Sequence, residues 1–158
     1  MTVTVRIVVA DERQANFFDL WKPRGPLFAC GSVENPTAGM KDMDLETDRE
    51  GRRFGGTQGV AHAGNQAGHH HGVNGERSTE RHEMSQYARA VARKIDEGRR
   101  KHEFDRLVIV AGPRMLGLLR QELPDTCRGV IAGEIPKDLL HRGDDAIRSA
   151  VPKDAFFE

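Results

Sequence analysis

Apolar and polar positions change period along this chain, and the changes mark its elements. Val3, Val5, Ile7, Val8 and Val9 form a β-branched run that reads as a first strand, and the charged DERQ of residues 11–14 reads as a turn. Residues 15–20, with Phe17 and Phe18, predict a second strand hairpinned to the first. Pro23, Gly25 and Pro26 make another turn before a short third strand at 27–33. Three successive strands imply an antiparallel ribbon.

From Ser78 the period lengthens. Met84, Tyr87, Ala88, Val91, Ala92 and Ile95 fall on one stripe of a helix. Ser78 or Thr79 is the expected N-cap, Glu80 and Glu83 suit the positive end of the dipole, and Arg99, Arg100 and Lys101 suit the negative end. Gly98 is the expected C-terminus. The unbroken apolar run at 107–111 predicts a central strand covered on both faces. Pro113 then opens a second helix, with Leu116, Leu119 and Leu123 buried and Pro124 as its stop. Val130 and Ile131 suggest a last strand, and residues 144–151 a short closing helix. The succession predicts a single α/β domain over residues 1–158, with a mixed sheet of about five strands. An antiparallel N-terminal ribbon joins a parallel βαβαβ half, with helices on at least one face.

Composition adds two restrictions. Lys plus Arg equals Asp plus Glu at 24 each, so no overall field draws the chain toward nucleic acid or an anionic membrane, and such binding requires a local patch. Cys30 and Cys127 have no CxxC or Cys/His ligand pattern, as expected of reduced, buried thiols in cytosol. The N-terminus reads as a strand rather than a signal peptide, and nowhere do eighteen apolar residues follow one another. A cytoplasmic protein without a membrane span is the expectation.

Between the two patterned halves, residues 51–75 hold eight of the seventeen glycines and four of the seven histidines. Glycine loses the most entropy on ordering, so a loop at about 51–77 is expected, and function is expected there.

Three blocks, VVADERQANFFDL, FDRLVIVAGPRMLGLLRQEL and GEIPKDL, resemble the bacterial host-attachment protein family across nearly the whole chain. That family is similar in fold to the middle domain of archaeal and eukaryotic peptide-chain release factors, a fold shared with certain ribosomal proteins. The resemblance implies a Gly-Gly-Gln tripeptide on a loop before a long helix. There, two glycines approach the ester of peptidyl-tRNA and the glutamine places water. This chain offers Gly55, Gly56 and Gln58, with Thr57 intervening, and a β-branched residue resists positive φ. The codon-reading domains of a full release factor have no room in 158 residues, so stop-codon termination is not expected.

Other constellations each have a bland counterpart. His62, His69, His70 and His71 could ligate Zn²⁺, Ni²⁺ or Cu²⁺, against an adventitious His-rich tract that implies no cofactor. Arg49, Arg52, Arg53, Arg77 and Arg81 flank the loop and could meet RNA phosphates, and Arg89, Arg93, Lys94, Arg99, Arg100 and Lys101 continue along the helix, against a solvated face laced with acids. Asp11 and Asp138 could converge to hold Mg²⁺, against turn capping. GPRMLGLLR has neither GxxxxGK[ST] nor GxGxxG, so no nucleotide cofactor is expected, and no nucleophile elbow appears.

The combined expectation is a small host-attachment-type binding protein, more a binder than an enzyme. It would engage rRNA, tRNA, the ribosome or another macromolecule through the Gly/His loop and its basic flanks, with oligomeric state left open. The alternatives are peptidyl-tRNA ester hydrolysis by the degenerate Gly-Gly-x-Gln loop and a metal-responsive interaction protein.

Overall fold

A computed structural model describes residues 2–38 and 72–157. The elements are β1 (Val5–Ala10), β2 (Gln14–Leu20), β3 (Phe28–Glu34), α1 (Gly72–Arg100), β4 (Arg106–Ala111), α2 (Pro113–Glu122), α3 (Asp125–Arg128), β5 (Ile131–Ile135), α4 (Asp144–Ala150) and a 3₁₀ turn at Lys153–Phe156. The strands form one sheet in the order β3-β2-β1-β4-β5. β1 pairs antiparallel with β2, and β2 with β3, while β1/β4 and β4/β5 are parallel. The mixed sheet and its two halves are those the residue pattern implies.

β1 and β4 are central and buried on both faces, which explains their unbroken apolar runs. Alternate residues divide the core. Val8, Phe17, Leu107 and Ile109 pack beneath the stripe Tyr87, Ala88, Val91, Ala92 and Ile95 of α1 and beneath Met115, Leu116 and Leu119 of α2. Val5, Ile7, Val9, Leu20, Val108 and Val110 pack on the other face against Ile147, Val151 and Ala155. Helical elements therefore cover both faces.

Both ends of α1 differ from the residue-pattern expectation. The helix begins at Gly72, six residues before Ser78, and Thr79 is no cap: its hydroxyl donates back to the Gly75 carbonyl inside the helix at 2.9 Å. Nor does Gly98 end it. The helix runs on to Arg100, and His102 takes the left-handed conformation at φ 54°. The amides of His102 and Glu103 then donate to the carbonyls of Arg99 and Gly98 at 3.1 and 3.0 Å, a Schellman closure in which histidine stands where glycine is usual. Gly98 is needed for space instead: a Cβ there would lie 2.5 Å from Arg6 Nη1.

Candidate functional site

The carboxyl ends of the parallel strands β1 and β4 form one edge of the sheet, where open α/β folds place their ligand crevices. Here β1 gives way to Asp11 and Glu12, and β4 to Gly112 and Pro113 at the start of α2. Together with Arg114, Met115 and Asp138 these residues line a cavity of about 290 Å³. Asp11 and Asp138 thus meet at one edge, as their positions in sequence suggest. Asp11, however, is engaged in the turn: its Oδ1 accepts the amides of Arg13 and Gln14 at 2.7 and 2.8 Å. Arg114 pairs with Glu12 at 3.1 Å, and His141 Nε2 stands 3.8 Å from Asp11 Oδ2. Among the described residues no group of three or more potential metal ligands is gathered.

One group beside this edge is left over. The Tyr87 hydroxyl on α1 is buried, with no hydrogen-bond partner among the described residues. Burial, and then the charge of Asp11, push its ionisation above the ordinary tyrosine range.

The same edge carries the first half of α1. At 29 residues the helix is about 43 Å long, whereas the six residues of β4 span only about 20 Å. Its buried stripe starts at Met84, next to Asn35 just after β3, whose amide nitrogen is 3.7 Å from the Met84 sulfur. The turns before Met84 therefore project past the sheet. Gly75, Arg77, Ser78, Thr79, Arg81 and His82 are exposed there. Arg77 and Arg81 share this overhang. Arg49, Arg52, Arg53, Gly55, Gly56, Gln58, His62, His69, His70 and His71 lie outside the described residues. Farther along, the basic residues read as a solvated face do pair locally: Arg99 and Arg100 with Asp96 at 3.0 and 3.1 Å, and Arg89 with Glu122 at 3.1 Å.

At the opposite, amino edge lies a charged cluster that pattern reading missed. Arg6, inside β1, donates Nε and Nη2 to the two oxygens of Asp19 at 2.8 and 2.9 Å, and Nη1 to Glu103 Oε2 at 2.9 Å. Its guanidinium carbon lies 4.9 Å from the Phe104 ring centroid. Burial works against the charge on Arg6, but the bonds to Asp19 and Glu103 outweigh it and hold the cation firmly protonated. Glu103 is correspondingly held below the usual carboxylate range by its bond from Arg6. Nearby, Cys30 is exposed rather than buried as its sequence context suggested, because it lies on the outer strand β3; desolvation and then Asp19 push its thiol up. The one available signal was an arginine at an inward position of a buried strand.

With fold and edge in view, the comparisons with known proteins settle the class. Residues 6–151 match the family described as "Protein required for attachment to host cells", and the chain belongs to that family. It is also similar, at 34% identity over 71 residues, to an uncharacterized protein of Rickettsia prowazekii (strain Madrid E), the match covering 44% of this chain and 47% of the relative. The matched segment thus spans about half the length of that relative. No helix among the described residues is long and apolar enough to cross a membrane.

Proposed function

We propose that this member of the host-attachment family is a binding protein rather than an enzyme, and that it engages RNA or a ribosomal surface through the carboxyl edge of its sheet. The observation that carries the reading is the overhang of α1. A helix is stabilised chiefly by packing an apolar face, and the described residues of α1 before Met84 include none that is buried. A helical segment with no fully buried side chain among its described residues suits a role in which a partner supplies further contact. Arg77 and Arg81 give that overhang cationic side chains, and in sequence Arg49, Arg52 and Arg53 stand on the other side of the Gly/His segment.

Ribosome co-sedimentation and RNA gel shift test this. Binding should fall steeply between 50 and 200 mM salt, by roughly tenfold or more for a few phosphate contacts, and Arg77→Ala with Arg81→Ala should weaken it across all sequences. Salt-independent binding, or none, refutes it. Release of labelled peptide from peptidyl-tRNA, abolished by Gln58→Ala, would replace this reading with hydrolysis. Micromolar Zn²⁺ binding lost on substitution of His69, His70 and His71 would favour a metal-responsive role.

A further inference from the structure

The turn joining β2 to β3 bears the chain's single tryptophan. Trp21 and Phe28 stand at either end of this turn and meet edge to face, with ring centroids 4.6 Å apart. They remain 40% and 48% exposed. The indole Nε1–H donates to Thr4 Oγ1 at 3.0 Å, so the only polar atom of the ring is satisfied and what it offers to solvent is aromatic surface. The turn that carries the rings is constrained: Pro23 and Pro26 fix their φ angles, and the Gly25 amide donates to the Lys22 carbonyl at 2.9 Å.

The same turn forms one wall of a groove of about 700 Å³, which α4 and the 3₁₀ turn complete. Arg24, Arg148 and Lys153 line it, with Asp145 as the one carboxylate in the lining, and Asp145 is already paired with Arg148. A net positive groove thus adjoins exposed aromatic rings at the amino edge, in a chain whose overall charge is zero.

Chemistry decides between partners. A protein-docking patch buries its aromatics in a core depleted of lysine, whereas Lys22 and Lys153 sit around this turn. A single-stranded polynucleotide needs both features, a π-face for a base and cations for its backbone. We propose that this turn and groove are a contact site for single-stranded RNA, with a base stacked on the Trp21–Phe28 pair and phosphates against Arg24, Arg148 and Lys153. The proposal rests on the RNA-binding reading above but uses the edge of the sheet remote from the α1 overhang.

Trp21 is its own probe. Titration of the intact chain with a ten-nucleotide oligouridylate should quench tryptophan fluorescence saturably at micromolar concentration. Phe28→Ala should weaken this binding about tenfold, the loss of one stacking partner. Arg24→Ala with Lys153→Ala should lower both affinity and its dependence on salt. Heparin, a polyanion without bases, should displace the oligonucleotide without itself quenching. Gel-shift binding without quenching, or quenching indifferent to Phe28, Arg24 and Lys153, overturns this site while leaving RNA binding standing. Equal quenching by heparin also overturns it, and no binding in either assay overturns both.

Discussion

At the amino edge of the sheet a buried arginine is saturated by two carboxylates and an aromatic ring. At the carboxyl edge a helix runs out beyond the core, a tyrosine hydroxyl has no partner among the described residues, and carboxylates line an open cavity. Charge at the first edge is desolvated and therefore must be matched, since an unpaired ion in a core costs several kcal/mol. At the second edge Arg77 and Arg81 face water, while Asp11 caps a turn and Glu12 pairs with Arg114. Buried, matched charge thus sits at the amino edge and the exposed Arg77 and Arg81 proposed for RNA binding at the carboxyl edge, and substitutions of these two groups should separate stability from binding.

The largest effect is expected at Arg6. Arg6→Met leaves Asp19, whose side chain is only 13% exposed, without its counter-ion. The loss should be about 3–5 kcal/mol in denaturant unfolding. A loss below 1 kcal/mol would show that the amino edge is not held by this network. Gly98→Ala comes next, because its Cβ would also stand 3.1 Å from both Glu103 Oε2 and Phe104 Cε1. A cost of about 1–3 kcal/mol is expected.

Acid should act through the same cluster. The folded-state value of Glu103 is depressed by its bond from Arg6, below the ordinary 4.5. Its contribution is therefore present above that ordinary value and disappears as pH falls through the folded one. Glu103→Gln should accordingly flatten the decline in stability between about pH 5 and 3, read as melting temperature against pH. The contribution is reduced by water, because the Glu103 side chain is 45% exposed. At the carboxyl edge, by contrast, Tyr87→Phe removes a hydroxyl with no partner among the described residues and should be neutral or slightly stabilising. Arg77→Ala and Arg81→Ala should change stability by no more than about 0.5 kcal/mol while weakening RNA binding. Clear destabilisation by any of these three would erase the contrast.

How much of this was legible in sequence follows from the range of each interaction. The strands at 107–111 and 15–20, and the stripe from Met84 to Ile95, are local periodicities, and the structure keeps them. The Arg6 cluster joins residues 13 and 97 positions apart, and only the register that sets Arg6 opposite Asp19 brings them together. Gly98 misled for a related reason. Its role as a helix stop is a local rule, whereas its actual role, clearance for a guanidinium on another element, exists only after packing. His102 could not be foreseen at the left-handed position for the same reason, since its value lies in swinging Glu103 onto Arg6. At the carboxyl edge, sequence placed Asp11 and Asp138 together but not the overhang of α1, because the excess of helix over sheet depends on where both begin.

The outer strand β3 has a consequence for the behaviour of the protein in bulk. Its pairing with β2 slips between Phe17 and Phe18, and Gly31 bends it at φ 144° with the Lys94 ammonium close by. A strand from a neighbouring molecule would find there a kinked and charged border instead of a straight row of amides and carbonyls. Among the described residues the sheet has five strands, and at this border it should resist edge-to-edge pairing when the protein is concentrated.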